Sequence, residues 1–572
     1  MTKPYVSSGY RLFKEHAVLQ LAPEQLLKLG QYHQERRELS LAEETYRQVL
    51  TACPNHVPDL RLLGYLLGQT GHKEAGVEFI RRAIALDPQD PRMYTDLGVW
   101  LADLQRFDEA IAAHRMVIRL VPASAIAHYN LAAALDANGE LDQALDALRK
   151  ALRLSHGKPS IHSGLIFWLQ FHPVHGAKLL REELAAWSRT HADPLKAFIR
   201  PHTNERSPDR PLRIGYVCAD FRDHCLGRYL LPLFEQHDPR QFQVYCFSDV
   251  TTPDAMTEKF RGLAQGFQTI AGRSDQEAAE LIRATAIDIL VDTTLHMVFN
   301  RLLVFARKPA PVQATFAAYP GSTGLDTIDY RLTDPYLDPP GQDDSIYCET
   351  SVRALDSFWC YDPHSEVLPV NDLPALSTGH VTFGCLNAFR KVNTPLLQLW
   401  AEVLHAVPAS RLLMLAPLGS RQRVVEFMAT QGLAANRFAF SNYLARREYL
   451  ALYHDIDIGL DTHPYNGHTT SLESFFMGVP VITRVGDRVV GRAGFSQLMN
   501  LGLPELVAHS EAQFVQIAAT LAADLPRLAA LRHDLRPRMQ ASPLMDAGRF
   551  ARNIEAAYRQ MWRTWCAGAA QA

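Results

Sequence analysis

A 34-residue period in the first third of the chain restricts its fold more than any other feature. Four separate columns of prolines, leucines and small or apolar residues keep this step. The columns are Pro54, Pro88 and Pro122; Leu29, Leu63, Leu97 and Leu131; Ala42, Gly76, Ala110 and Ala144; and Val49, Ala83, Val117 and Ala151. Prolines end helices, and small residues let two helices approach closely. The period therefore predicts a stack of helix pairs over residues 22–156.

This period and its Leu-Gly…Ala…Pro pattern resemble the tetratricopeptide repeat, with about four repeats. Such repeats stack into a solenoid with a concave groove. Two roles remain open for it: binding a protein or peptide acceptor, or serving as a spacer or dimerisation arm through which the chain could form oligomers. Related proteins carry asparagines in the groove, where Leu62, Asp96 and Asn130 stand here. A regular asparagine ladder is thus absent, which argues against assuming that the groove clamps a peptide backbone.

Composition points to a cytoplasmic protein without a nucleic-acid or membrane partner. The net charge is −3, and the eight cysteines are scattered without a CxxC pair. The first residues lack the apolar core of a signal peptide, and no apolar run reaches the length of about 18 residues that would indicate a membrane span. Segment 1–21 is expected to lead into the repeats. Residues 157–206 lose the period but keep helical patterns, and are predicted to be a degenerate repeat-like connector.

The rest of the chain predicts two doubly wound α/β halves. Short apolar strands alternate with helical stretches, a pattern typical of parallel sheets. The predicted strands are 212–218, 242–247, 287–292 and 312–316, then 381–385, 411–415, 438–440, 456–460 and 481–483. We predict halves at 207–360 and 379–542, a Pro-rich linker at 361–378, and a C-terminal helix within 543–572 that packs back across the halves. The fold class is thus an all-α solenoid followed by two Rossmann-like halves with a cleft between them.

The stretch Asp461–Glu473 connects the end of a predicted strand to the start of a predicted helix. Helix starts expose unpaired N–H groups and the positive end of the helix dipole, so they suit phosphates. Gly467 permits close approach of a ligand, and His468, Thr469 and Thr470 add donors. The alternative is a capping box formed by Thr470 and Glu473, which stabilises a helix without any ligand.

Repeats joined to two such halves are similar to glycosyltransferase family 41, the O-linked N-acetylglucosamine transferases and their bacterial relatives. The similarity is carried by Asp220-Phe-x-x-His224, by Pro309-Ala-Pro-Val-Gln-Ala with Tyr319-Pro320-Gly321, by Asn387…Lys391 with Leu397-Gln-Leu-Trp400, and by Asp461-Thr with Asn466-Gly-His-Thr-Thr470. It implies a GT-B fold and inverting, metal-independent transfer of N-acetylglucosamine from UDP-GlcNAc to Ser or Thr of protein. Other donors or acceptors (GDP-fucose, UDP-glucose, asparagine) and a weakly active nucleotide-sugar-binding scaffold stay open.

The resemblance also implies roles for individual residues. His224, His296 and Lys391 are the catalytic candidates: Lys391 would hold the diphosphate leaving group, and His224 would lie in the active site, with its role as general base left open. The phosphate-binding candidates are Asn466, Gly467, His468, Thr469, Thr470 and Lys391. Tyr449 is expected at the base and Glu473 at the ribose, with a core tyrosine and a capping carboxylate as the rival interpretations. Tyr319, Pro320 and Gly321 are expected to form a turn near the cleft.

No metal and no cofactor beyond the donor substrate are expected. Asp455-x-Asp457 matches the Asp-x-Asp pattern of metal-dependent sugar transferases. It straddles the start of a predicted buried strand, however, and a metal there would duplicate the charge supplied by Lys391. The histidines of the connector (His162, His172, His175 and His191) fit no compact ligand set.

Overall fold

A computed structural model describes residues 21–342, 344–364 and 366–568. Nearly all of the expected lead segment 1–21, and residues 569–572, lie outside the described residues. The chain divides into two compact units, and the main boundary between them follows His156.

The first unit consists of four antiparallel helix pairs in the described part of the repeat region. The helices are α1 Pro23–Glu35, α2 Leu39–Ala52, α3 Val57–Gln69, α4 Lys73–Leu86, α5 Pro91–Asp103, α6 Phe107–Leu120, α7 Ala125–Ala137 and α8 Leu141–Leu154. Close approach within a pair explains the small residues, because a Cβ on Gly76 would lie 2.5 Å from the carbonyl oxygen of Gly64. Asp96, at a groove position, is paired with Arg61 at 2.8 Å.

The connector belongs to the second unit. Helices α9 Pro159–Leu169 and α10 Ala177–Trp187 are followed by a π turn, Ser188–Ala192, and a 3₁₀ turn, Asp193–Phe198. Ile166, Leu184 and Trp187 are buried in one apolar core with strand residues Val217 and Phe247 of the first half. The connector is thus packed as part of the first α/β half, through the apolar faces of its two helices.

The first half is built on a parallel sheet with strand order β3-β2-β1-β4-β5-β6-β7. Its strands are β1 Leu212–Cys218, β2 Phe242–Ser248, β3 Gly266–Thr269, β4 Ile289–Asp292, β5 Val312–Thr315, β6 Tyr330–Leu332 and β7 Thr350–Val352. Its helices are α11 Cys225–Gln236, α12 Ala255–Leu263, α13 Asp275–Ala284 and α14 Leu302–Phe305. The order reverses beside β1, and ligands of such sheets bind at the carboxyl ends of the strands near this point.

The second half repeats this design with strand order β10-β9-β8-β11-β12-β13. Its strands are β8 Thr382–Cys385, β9 Arg411–Leu415, β10 Phe438–Ser441, β11 Ile458–Leu460, β12 Val481–Arg484 and β13 Val507–Ala508. Its helices are α15 Ala375–Thr378, α16 Thr394–Ala406, α17 Leu418–Thr430, α18 Arg446–Ala451, α19 Thr469–Phe476, α20 Ala493–Leu501, α21 Glu511–Ala523 and α22 Leu525–Gln540. Asp457 accepts hydrogen bonds from the amides of Ala375 (2.9 Å) and Thr382 (2.8 Å) and so ties β8 to β11.

The last helix, α23 Ala547–Gly568, returns to the first half. Glu555 accepts hydrogen bonds from the amide of Asp238 (2.8 Å) and from the ring of His237 (3.1 Å), and Tyr558 bonds to Tyr216 at 3.1 Å. The helix therefore links the end of the second half to the first half. Within the described residues no single helix is long and apolar enough to cross a membrane; only the bent pair α21 and α22 meets that test together, by length and composition.

Candidate active site

A cavity of about 560 Å³ opens between the two sheets at the carboxyl ends of their strands. Loops after β1, β4 and β5 form one side, and loops after β8, β10 and β11 form the other. The predicted site residues that line it are His224, Lys391, Tyr449, His468, Thr469, Thr470 and Glu473. The structure thus brings together the histidine expected from the first half and the phosphate-binding residues expected from the second.

The loop between β11 and α19 is organised by the buried carboxylate of Asp461. One oxygen accepts from the amides of Gly467 (2.6 Å) and Thr462 (2.8 Å), and the other accepts from the hydroxyl of Thr483 (2.7 Å). Burial raises the pKa of Asp461 to about 6. A Cβ on Gly467 would lie 2.3 Å from Ser471 Oγ, so a larger residue here would force Ser471 to move.

Helix α19 begins at Thr469 with His468 as its N-cap, and no side chain caps it. Thr469 and Thr470, the first two residues of the helix, line the cavity, so the N-terminal end of α19 borders it. His468 Nε2 is buried and has no hydrogen-bond partner among the described residues. Burial and the nearby Lys391 hold the pKa of His468 well below its usual value. A buried nitrogen left without a partner is costly, and a ligand oxygen would satisfy it.

Lys391 closes a 3₁₀ turn after β8 and points toward the same loop. Its Nζ donates to the carbonyl oxygen of Asn466 at 2.7 Å and to Asn387 Oδ1 at 3.2 Å. Burial lowers the pKa of Lys391 to about 8, against the opposing effect of Asp461. Both acceptors are neutral, so an anion in the cavity would be a stronger partner for the ammonium than either.

His224 is the N-cap of α11 on the other side of the cavity. Its Nδ1 accepts from the amide of Leu226 at 3.3 Å and lies 3.4 Å from Asp220 Oδ2. Burial lowers the pKa of His224, and the charge of Asp220 opposes this shift. The imidazole is therefore largely neutral near pH 7, the state that can accept a proton.

Glu473 and Tyr449 both line the cavity, and each has a side-chain partner that the sequence did not indicate. Glu473 forms a buried ion pair with Arg446, which itself lines the cavity. The alternative interpretation of Thr470 and Glu473 as a capping box is wrong. The helix α19 starts at Thr469 with His468 as its N-cap, and the carboxylate of Glu473 is paired with Arg446 instead. The hydroxyl of Tyr449 is hydrogen-bonded to that of Tyr453 at 2.9 Å, while its ring contributes to the cavity wall.

Several predicted residues do not line the cavity. His296 is 1 % exposed; its Nε2 donates to the carbonyl oxygen of Thr323 (2.9 Å), its Nδ1 lies 3.1 Å from Ser163 Oγ, and burial lowers its pKa to about 3. These contacts support a packing role for its ring. Asn466, Gly467, Tyr319 and Pro320 are buried, and Gly321 lines a separate small cavity against the connector.

The structure also places residues in the cavity that sequence reasoning missed. Arg446 is the clearest, and its position three residues before Tyr449 on one helix would have indicated a shared face. Phe167, Phe171 and Tyr465 join the wall through contacts between distant segments, for which the sequence offers no local signal. Asp457 accepts a hydrogen bond from the backbone amide of Thr382 in β8. Among the described residues, no group of three acidic, histidine or cysteine side chains could hold a metal ion.

Two parallel-sheet halves that face each other across a cavity define the GT-B class of fold. The chain belongs to glycosyl transferase family 41, whose model matches residues 189–372 and 361–554. The tetratricopeptide repeat model matches residues 61–125 and 95–159.

Known proteins resemble the chain in both sequence and structure. The probable UDP-N-acetylglucosamine–peptide N-acetylglucosaminyltransferase SPINDLY of Petunia hybrida is 40% identical over 374 residues, which cover 64% of this chain and 40% of that protein. The corresponding SEC protein of Arabidopsis thaliana is 29% identical over 368 residues, 62% of this chain and 38% of that protein. The chain thus spans about two fifths of these relatives. A structure of a lysine-to-methionine mutant of the Thermobaculum terrenum O-GlcNAc transferase superposes with a TM-score of 0.78 at 34% identity, covering 97% of this chain and 99% of that one.

Proposed function

We propose that this protein transfers N-acetylglucosamine from UDP-GlcNAc to Ser or Thr hydroxyls of protein acceptors, with inversion and without a metal ion. The observation that carries the proposal is the shared cavity wall of Lys391, the unpartnered His468 Nε2 and the start of α19. Such a wall suits a diphosphate, and His224 faces it from the other half. The family supports glycosyl transfer, and the names of the relatives suggest the sugar and the peptide acceptor.

Lys391 and the start of α19 would act on the leaving group. The acceptor oxygen forms a bond to the anomeric carbon on one face while the bond to the diphosphate breaks on the other, which inverts the configuration. Negative charge grows on the departing UDP, and the Lys391 ammonium and the helix amides stabilise it. Fixed donors aimed at that charge perform the role that a metal ion serves in other sugar transferases.

His224 is the candidate to receive the proton of the acceptor hydroxyl. Asp220 near Nδ1 favours the tautomer whose proton sits on that nitrogen, which leaves Nε2 free to accept one. The contact from the Leu226 amide to the same Nδ1 favours the opposite tautomer, in which His224 would only donate to substrate. The structure therefore supports an active-site role for His224, and the choice between base and donor is made by the variants described in the Discussion.

A donor panel tests the proposal. The full chain is incubated in EDTA with UDP-GlcNAc, UDP-glucose or GDP-fucose and a protein acceptor, and both nucleotide release and transferred sugar are measured. Transfer from UDP-GlcNAc to Ser or Thr is expected to exceed the other two. A preference for GDP-fucose would show that the proposed donor is wrong, and transfer to asparagine would show that the proposed acceptor is wrong. Binding of a nucleotide sugar without turnover would indicate a scaffold.

A further inference from the structure

Helix α9 and the loop that follows it contact both α/β halves. On the first half, Ser163 of α9 lies 3.1 Å from His296, and Trp187 at the end of α10 packs its ring edge-on against the same imidazole. On the second half, the contacts come from Arg488, in the loop after β12. The connector therefore spans the two halves beside the cavity.

Arg488 holds the end of α9 through its carbonyl groups. The buried guanidinium donates to the carbonyl oxygens of Leu169 (3.2 Å), His172 (2.8 Å) and His175 (3.1 Å). Leu169 is the last residue of α9, where the helix carbonyls carry partial negative charge and a cation is favourable, and His172 and His175 lie in the loop that follows. A planar guanidinium can reach all three oxygens at once. This contact fixes the loop of residues 170–176 against the second half.

Phe171 lies in this fixed loop and begins a stack of three rings. Its ring stacks on Tyr465 with centroids 4.7 Å apart, and Tyr465 stacks on His468, also at 4.7 Å. Lys391 Nζ lies 4.5 Å from the centroid of the Tyr465 ring. The stack thus runs from the connector to both phosphate-binding side chains of the cavity wall.

We propose that Phe171 is a positioning residue for donor binding, acting through Tyr465 on His468 and Lys391. The inference rests on the proposed function, because it assumes that those two side chains bind the diphosphate. Phe171 stacks on the Tyr465 ring and limits its movement. His468 and Lys391 contact the same ring. Without Phe171 the Tyr465 ring can turn, and the two phosphate-binding groups lose a fixed support.

The test compares Phe171→Leu with Phe171→Tyr and with Val174→Ala, an exposed position in the same loop. Loss of one ring stack is expected to raise the Kd for UDP and the KM for the donor by about three- to tenfold, with the acceptor KM unchanged. Phe171→Tyr keeps the stacking ring and should restore wild-type values, as should Val174→Ala. A merely structural role would reduce the folded fraction, which lowers the apparent kcat but leaves Kd and KM unchanged.

Two outcomes separate the inference from the proposed function. If the wild-type chain binds neither UDP nor GDP, the proposed function fails. If it binds UDP and transfers sugar while Phe171→Leu keeps Kd and donor KM within about twofold, the inference alone is overturned. Should Phe171→Leu not fold, Arg488→Lys replaces it. The guanidinium reaches the three carbonyls from two separate nitrogens, and a single ammonium nitrogen cannot occupy both positions. The same rise is therefore expected, and wild-type values would contradict the inference.

Discussion

At the scale of single residues, the cavity is defined by a lysine and a histidine that lack a strong partner of their own. Lys391 donates only to neutral oxygens, and His468 Nε2 has no partner among the described residues. Such groups cost stability unless a ligand satisfies them. Under the proposed function, a bound diphosphate would partner both groups.

Removing the cation should damage transfer severely. Lys391→Ala is expected to lower kcat by about 100- to 1000-fold, because one fixed donor to the developing charge is lost. Single-turnover kinetics with saturating UDP-GlcNAc measure the effect. Lys259→Ala, an exposed lysine of the first half, is the matched control. Unchanged transfer in Lys391→Ala would remove Lys391 from the mechanism.

The pH dependence of UDP binding should report the same group. Lys391 with a pKa of about 8 is charged below that pH and neutral above it. The Kd for UDP is therefore expected to be flat below pH 8 and to rise by up to about tenfold per pH unit above it. Calorimetric titrations across this range measure the slope. An equal rise of the Kd above pH 8 in Lys391→Ala would show that another group causes the pH dependence.

His224 should affect chemistry and leave donor affinity alone. His224→Ala is expected to lower transfer by about 100-fold or more while the Kd for UDP stays constant. If His224 is the base, Asp220→Asn should also lower kcat, because the carboxylate that favours the productive tautomer is gone. Wild-type kcat in Asp220→Asn would instead support a donor role for His224. Weakened UDP binding in His224→Ala would move His224 to the donor site.

At the scale of elements, the loop from β11 to α19 depends on Asp461. Asp461→Ala would leave the amides of Gly467 and Thr462 and the hydroxyl of Thr483 without their acceptor. The free energy of unfolding is expected to fall by about 2–4 kcal/mol, and UDP affinity with it. Denaturant unfolding measures the first and calorimetry the second. Asp455→Ala, at an exposed site nearby, should change neither. Equal stability of the two variants would contradict this role for Asp461.

The sequence predicted the strands that carry clear apolar patterns, including the edge strand β10, and missed β3, β6, β7 and β13. Strands β1, β9 and β12 were predictable because most of their residues are buried and many are apolar. Strand β3 is only partly buried, and β7 is short with an exposed first residue, so neither shows such a pattern. In the site, His468, Thr469 and Thr470 were predictable because a single helix start carries them. Phe171 and Arg488 were not, because their partners lie in segments that only the tertiary fold brings near.

At the scale of the whole molecule, two parallel-sheet halves are joined by the connector on one side and by α23 on the other. The cavity lies between these halves, so each half contributes one set of groups: His224 from the first and Lys391 with the start of α19 from the second. In the proposed reaction, His224 alone would act only on the acceptor, and Lys391 with the start of α19 alone would act only on the donor. Under the proposed function, this arrangement brings the donor and the acceptor together at one site.

The most direct test of this account is a crystal structure of the full chain with UDP. We expect diphosphate oxygens within hydrogen-bond distance of Lys391 Nζ, His468 Nε2 and the first amides of α19, with the base beside Tyr449. A diphosphate bound elsewhere, or one that contacts none of these groups, would contradict it.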